Sequence, residues 1–465
     1  MDINSIKKLV LKKHKPSSSY NQQLSKFAND LIDQLWFNNY HDQQKSPIFP
    51  ISDIVLGGSI AKGTWLKDSA DIDIFVKLDA DSSRTDLEHS LEIGKNTLDS
   101  LKGYSWSLRY SEHPYIEAET KFLGKIIKIN IVSCFDVNPK NWKSAADRSP
   151  HHTNYILDKF TPKMKDEVRI LKQFLISNKI YGAEIKIQGF SGYVCELLIL
   201  KYKNFNNVLK HMGNFSPENS VYFDESHSKF TKLHDSPIIM LDPVDPKRNL
   251  GTAISSQNLN KFIYLSTKFL NNPSHKFFIL NKTKFNESLS DNLLLVYFKH
   301  DKKTIDTLWG QLRRSFNHAS KYLSKNNFNI IRSTISSNDE DQSAFIFLLE
   351  SPSISNTRLH IGPSSHMKNE SIAFIKKNKR QSLSFWIDSD GKLNSLQPRQ
   401  YSRIKDLITS SIDSNNVLGI APGIKDSFDK TSKTYTGQSV ISFSTNKSWL
   451  YDSLGDVIGT ESYLS

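Results

Sequence analysis

The chain is poor in cysteine, with only Cys134 and Cys195 among 465 residues. That excludes a disulfide framework and a cysteine-ligated zinc site. It also has no apolar run approaching the roughly 18 residues of a membrane span. The N-terminus, MDINSIKKLVLKKHK, is basic but lacks a signal-peptide apolar core and a small-residue cleavage site. A cytoplasmic protein with no membrane partner is expected. Acidic residues are short as well: 48 Asp and Glu stand against 61 Lys and Arg, a net charge of +13. The surplus points to a polyanionic partner, nucleic acid first, with a generally basic surface as the plainer alternative. The length predicts about two to four domains with room for a real core.

What is present centres on residues 56–78, LGGSIAKGTWLKDSADIDIFVKL. Gly57-Gly58-Ser59 predicts a tight turn after an apolar strand. Gly57 and Gly58 let the backbone approach a phosphate, and Ser59 adds a hydroxyl donor. Lys62-Gly63-Thr64-Trp65 is expected on a short helix. Asp71 and Asp73 then open a strand, and carboxylates two apart on a strand share a face. Carboxylates that close repel unless a cation lies between them, and oxygen ligands suit a hard ion such as Mg²⁺. A lone D-x-D or G-G-S is weak, since solvated Asp pairs are common at strand edges. The two in this order are the layout for nucleotidyl transfer. The pattern resembles the signature of the polymerase-beta-like nucleotidyltransferase superfamily.

Along the chain, apolar spacing predicts a helix over 20–37 and another over 86–101. Strands are expected at 104–110, 115–122 and 126–132. In the last, Ile127, Ile129 and Ile131 face the core and Asn130 faces the other side, next to Asp71 and Asp73. His152 follows a polar turn and is read equally well as a phosphate donor or a helix N-terminal His. Lys172 lies on a helix over 166–177, and 193–200 is an apolar, buried helix. Residues 203–236 are expected as a polar, flexible insertion. A buried strand at 238–241 leads to Arg248, a phosphate or base contact or simply a surface Arg. A helix is expected over 258–270. Beyond 285, strand, helix, strand, strand (293–298, 304–323, 330–335, 344–349) predict a ferredoxin-like unit that Gly362-Pro363 ends. A basic helix over 367–379, a strand at 384–387 and a helix at 402–411 follow. Lys376, Lys377, Lys379 and Arg380 are a charge run, either merely solvated or set against RNA phosphates.

Five blocks narrow the resemblance: LEIGK (91–95), YSEHPYIEA (110–118), KSAADRSPHH (143–152), IYGAEIKIQGFSGYVCELLI (180–199) and DPVDPKRN (242–249). They occur in this order in the archaeal-type, class I CCA-adding enzymes, strongly over 20–300 and by element order beyond. The resemblance implies an α+β multidomain fold. A nucleotidyltransferase head (1–153), a mostly helical neck that reads the nucleotide (154–284), a ferredoxin-like body (285–365) and a basic tail (366–465) compose it. It implies addition of CCA to the 3′ end of tRNA from CTP and ATP with Mg²⁺, tRNA being held at its acceptor stem and T arm; a homodimer is an option. Asp71 and Asp73 match the metal-binding carboxylates. Gly58, Ser59 and Lys62 match the triphosphate turn, His152, Lys172 and Tyr181 further nucleotide contacts, and Arg248 the Arg beside the incoming base.

Asn130 stands where the family has its third catalytic and metal-binding Asp. Asn has one acceptor oxygen and no charge, so it is a poorer Mg²⁺ ligand and no base. Either the chain is a weakened enzyme or another carboxylate compensates, Glu117 and Glu119 being candidates on the neighbouring strand. An active CCA-adding enzyme and a tRNA-binding homologue with a slow or dead head both follow. A tailing enzyme such as a poly(A) polymerase is a third reading, against which the neck blocks argue.

Overall fold

A computed structural model describes residues 2–40, 48–110, 113–216, 220–221, 223, 236–280, 285–412 and 417–460. The chain forms two compact units, residues 1–280 and 281–465.

The first unit opens with two helices, α1 (Ile3–His14) and α2 (Ser18–Asn39), capped by Asp2 and Ser17 side chains that accept from Ser5 and Tyr20 backbone amides. Next come β1 (Ile51–Leu56), α3 (Gly58–Lys62) and β2 (Asp71–Leu78). Then follow α4 (Arg84–His89), α5 (Leu91–Ser100), β3 (Tyr104–Tyr110), β4 (Pro114–Phe122) and β5 (Lys125–Phe135). The five strands pair in the order β1-β2-β5-β4-β3, with β2 and β5 parallel and the other pairs antiparallel. Alternation along β2 and β5 decides which residues reach the site. Ile72, Ile74, Ile129 and Ile131 point to a core shared with Leu31 and Leu35 of α2 and Leu91 and Leu98 of α5. Asp71, Asp73 and Asn130 are therefore turned to the opposite face. Each fully buried Leu or Ile contributes about 1.5–3 kcal/mol, so a register slip in either strand is strongly opposed.

The rest of this unit is largely helical: α6 (Arg148–Leu157), α7 (Pro162–Ser177), α8 (Gly192–Tyr202), α9 (Phe205–Gly213) and α10 (Ser256–Asn271). A short parallel pair, β6 (Ser220–Val221) and β7 (Ile239–Met240), lies between the last two. Phe174, Phe205, Phe262, Phe269 and Phe278 interlock edge-to-face at its centre, for example Phe174 on Phe205 at 5.5 Å and on Phe269 at 5.7 Å.

In the second unit β8 (Leu293–Lys299), α11 (Ile305–Lys325), β9 (Ile330–Ser337) and β10 (Gln342–Leu349) lie close to the expected positions. β11 (Thr357–Ser364), α12 (Lys368–Asn378), β12 (Ser384–Ile387), β13 (Lys392–Pro398) and α13 (Ile404–Ile412) follow, then α14 (Pro422–Thr431), β14 (Lys433–Thr436), α15 (Gln438–Ser444) and α16 (Ser448–Ile458). One sheet runs β14-β8-β10-β9 and another β11-β13-β12. Strand β8 is buried on both faces, Leu294, Val296 and Phe298 in one core and Leu293, Leu295 and Tyr297 in the other. Residues 433–436, assigned from sequence to the tail, thus complete the sheet of the body, while 357–364, assigned to the body, pair with 392–398.

Several local expectations are corrected. The helix over 86–101 is two helices that break at Ser90, whose buried hydroxyl bonds the Leu87 carbonyl and meets the Ser133 hydroxyl at 2.7 Å. The short helix starts at Gly58 and stops at Lys62, because Gly63 takes a left-handed φ of 66°. Part of the supposed flexible insertion is ordered: α9 buries Phe205, Val208, Leu209 and Met212. Most of 217–235 lies outside the described residues. Gly362-Pro363 lies inside β11 and does not end the preceding unit.

Candidate active site

The turn after β1 lies directly against β2. The Gly57 amide donates to the Asp73 carbonyl at 2.7 Å. Gly58 has a φ of 62°, and a Cβ there would lie 1.9 Å from Asp73 Oδ2. A Cβ on Gly57 would sit 2.4 Å from the Phe75 ring. The two glycines are thus required by the strand beneath them, whatever phosphate they also admit. Ser59 is half-buried on the first turn of α3.

Asp73 and Asn130 are register partners across β2 and β5. Asn130 Nδ2 donates to Asp73 Oδ1 at 2.9 Å. Burial raises the Asp73 carboxyl to about 6; the bond from Asn130 works against this, Asp71 adds to it and Lys62 opposes it. Asp71 opens to water at the strand's start, yet the protein around it also raises its carboxyl, Lys128 opposing and Glu117 adding. Crowded carboxylates on one face are the state that a divalent cation relieves, and their acceptor-only oxygens fit a hard ion. Among the described residues no three His, Cys, Asp or Glu are grouped to hold a metal, so the carboxylates stand as a pair. Glu117 lies opposite Asn130 on β4, but Arg109 holds it at 2.7 Å. Glu119 pairs with Lys128 at 3.9 Å. Neither joins the pair.

Beyond the turn the basic residues converge on two buried carboxylates that the sequence did not single out. Lys62 Nζ reaches Glu196 Oε2 at 2.6 Å, and Lys172 Nζ approaches Oε1 at 3.8 Å. Thr64 Oγ1 donates to Glu196 Oε1 at 2.5 Å. His152 Nε2 meets Asp242 Oδ2 at 2.8 Å, and Arg248 comes to the same oxygen at 3.5 Å. Asp242 also accepts from the Tyr193 hydroxyl at 3.3 Å and the Val244 amide at 3.0 Å. Tyr193 joins the groups: its ring stacks on His152 at 4.1 Å and carries the Lys62 ammonium 5.6 Å from its centre. Burial pulls His152 below the usual imidazole range, against the pull of Asp242. Burial alone would raise Asp242, but His152 and Arg248 hold it low.

Helix α7 fastens the loop between. Arg169 donates to the carbonyls of Gly63 at 2.6 Å and Trp65 at 3.0 Å, and Lys172 to that of Thr64 at 3.2 Å. Two cations one helical turn apart therefore hold three successive carbonyls. Tyr181 is pushed well above the usual phenol range by burial. Its hydroxyl and the Lys172 ammonium lie 3.0 and 3.4 Å from where a Cβ on Gly192 would stand, so a side chain there would press on both. Arg248 is half-exposed and borders a cavity of about 580 Å³ between residues 183–188 and 247–253.

The structure thus gathers Gly58, Asp71, Asp73 and Asn130 at one place, Lys62, Lys172 and Tyr181 at a second, and His152 and Arg248 at a third. Glu196, Tyr193, Asp242, Thr64 and Arg169 were missed. The one available signal was a glutamate inside the apolar run YVCELLIL, which demands a buried partner. No helix among the described residues is long and apolar enough to cross a membrane.

Known proteins resemble the chain along most of its length. A nucleotidyltransferase domain family matches residues 43–134, the tRNA nucleotidyltransferase second domain 166–279, and the CCA-adding enzyme C-terminal domain 290–435. The CCA-adding enzyme of Methanocaldococcus jannaschii is 33% identical over 431 residues, 89% of this chain and 92% of its own. That of Sulfurisphaera tokodaii is 33% identical over 411 residues, 88% and 92% of the two chains. Among solved structures, E. coli MS115-1 CdnC with ATP is similar at a TM-score of 0.45 and 15% identity, over 60% of this chain and 95% of that one. At one-third identity along nearly nine-tenths of its length, the chain belongs to the archaeal-type CCA-adding enzymes, which are tRNA nucleotidyltransferases.

Proposed function

We propose that the chain adds CCA to the 3′ end of tRNA from CTP and ATP, without a template, releasing pyrophosphate. The observation that supports this reading best is the carboxylate pair of β2 set against the Gly58 turn, with basic side chains ranged behind it. Asp71 and Asp73 would hold Mg²⁺, which when bound lowers the cost of ionising the tRNA hydroxyl and neutralises phosphate charge. Gly58 and Ser59 receive the triphosphate at the turn. Lys62 and Lys172 neutralise it, Tyr181 orients it through its hydroxyl, and His152, when protonated, offers its second ring N–H to a phosphate oxygen while Nε2 keeps Asp242. Arg248 lies on the cavity wall, where the incoming base is read. Residues 1–153 carry the chemistry and 154–284 read the nucleotide. The segments 285–365 and 366–465 hold the acceptor stem and T arm as one piece, since their strands share sheets.

A second reading has a specific observation behind it. Asn130 spends its amide on Asp73, where the resemblance puts a charged ligand, and on this reading the chain is a homologue with weakened catalysis. Incorporation of labelled CTP and ATP into tRNA lacking CCA decides between the two. Incorporation that disappears in Asp73→Ala, with tRNA binding retained, supports the first. No incorporation by the unmodified chain supports the second. Full activity in Asp73→Ala would remove the site assignment.

A further inference from the structure

Glu196 is fully buried on a helix whose neighbours Val194, Cys195, Leu197, Leu198 and Ile199 are apolar core. A carboxylate there is costly unless it is paired. Both of its oxygens are used, one by Lys62 and the other by Thr64, with Lys172 behind. Its three partners come from two regions far apart in sequence: Lys62 and Thr64 flank Gly63 at the end of α3, and Lys172 lies on α7. Lys172 also donates to Thr64 Oγ1 at 3.3 Å, which closes a ring of three side chains, Glu196, Thr64 and Lys172, with Lys62 on the second oxygen of Glu196. One carboxylate against two ammonium groups leaves an excess positive charge at the wall of the site, the charge that an incoming polyphosphate would meet.

We propose that Glu196 is the positioning residue of the triphosphate site. It sets the spacing and charge of Lys62 and Lys172 and pins the Gly63-Thr64 loop to the central helices. The inference rests on reading those two lysines as phosphate contacts. It adds that they are held ready by a buried counter-ion that never touches the nucleotide. The two lysine ammonium groups share one small space, and without a negative charge between them they repel. The groups facing Lys172 are Glu196 and Cys195 of α8, Lys62 of α3 and Arg169 of its own helix. Of these only Glu196 is an ordinary anion, so removing its charge leaves Lys172 among cations. Burial already holds Lys172 below the usual lysine range, with Glu196 as the main opposing influence.

Glu196→Gln keeps the shape and an acceptor for Thr64 but removes the charge. In the full chain, with tRNA lacking CCA, the KM for CTP should rise about tenfold or more, the scale of losing a hydrogen bond between charged groups. It should rise further between about pH 7 and 9, more steeply than in the unmodified chain, because a lysine without its counter-ion loses its proton early. Affinity for tRNA should hold. Glu196→Asp, which restores the charge on a shorter arm, should recover part of the loss. A purely structural Glu196 would lower the melting temperature and leave the CTP KM and its pH dependence unmoved, which overturns the proposal. Should Glu196→Gln not fold, Thr64→Val carries the test: it removes one arm of the ring and should raise the CTP KM several-fold, and an unchanged value overturns the proposal. Lys62→Ala and Lys172→Ala separate the two layers. If they raise the CTP KM while Glu196→Gln does not, the proposal falls and the phosphate reading stands. If neither moves it, the phosphate reading itself falls and takes the proposal with it.

Discussion

At the scale of single residues the site turns on what stands beside Asp73. Asn130 offers it an N–H where a carboxylate would repel it, so the metal-free strands are calmer than three acids would leave them. The cost would fall on a cation held by Asp71 and Asp73, which would have two charged ligands. Asn130→Asp should therefore raise turnover, on the order of 10²-fold if the group both binds metal and helps activate the hydroxyl. The Mg²⁺ midpoint should fall with it, and the metal-free melting temperature should drop slightly. A Mg²⁺ titration of CTP incorporation in both forms checks this; equal rates and midpoints would show that position 130 is no ligand. The same carboxylate gives a pH dependence. Asp73 titrates near 6 in the folded chain and near 3.8 when unfolded. Between these values the folded form holds a proton that the unfolded form has lost, so its stabilising contribution is present below about 4 and lost as pH rises through 6. Bound Mg²⁺ relieves the charged form only. The rise in melting temperature on adding Mg²⁺ should thus be larger at about pH 7.5 than at about pH 5, and equal rises would place the cation elsewhere.

At the scale of elements, the turn between β1 and β2 is built for closeness, and Gly58→Ala tests it. A left-handed non-glycine residue costs about 1–2 kcal/mol, and here the added methyl would also displace the Asp73 carboxylate. Incorporation should fall by far more than that stability loss alone predicts. Thermal unfolding and turnover measured on one preparation would show it, and a variant with near-normal turnover would mean the turn has room to spare. Strands β2 and β5 were legible because their alternation is local: four isoleucines inward, two Asp and one Asn outward. The basic residues of the candidate site were visible in the sequence by type, but their partners were not. Glu196 lies 134 residues from Lys62 and Asp242 lies 90 from His152, distances that no periodicity spans. The break at Ser90 hid for the same reason, since its partner is Ser133 on β5. Pro363 misled differently. A proline usually ends a strand, but β11 is the edge of its sheet, where a missing N–H costs little. The Gly362 beside it is needed because the Phe374 ring fills the space of a Cβ at 2.8 Å.

At the scale of the whole molecule the charge surplus asks for a polyanion, and part of it is placed where one could lie. Lys376, Lys377, Lys379 and Arg380 are all exposed at the end of α12. That helix is anchored to its sheet through Phe374, which stacks on His360 of β11 at 5.2 Å and meets Phe385 of β12 edge-on at 6.3 Å. The cations are thus presented from a fixed base instead of a loose tail, and contacts from a fixed base can track a helical backbone in register. Each phosphate neutralised releases counter-ions and contributes about −0.9 to the slope of log K against log salt for duplex DNA, with double-stranded RNA similar in kind. Affinity for tRNA should therefore fall steeply between about 50 and 200 mM salt. Changing Lys376, Lys377 and Arg380 together to Ala should flatten that slope by about two to three, while CTP KM at saturating tRNA stays put, because the proposed nucleotide site lies in the other unit. Fluorescence titrations of tRNA at four salt concentrations supply the slope. An unchanged slope in the triple variant would mean these cations are only solvated, and the phosphate-tracking surface would then have to be sought among the remaining basic residues.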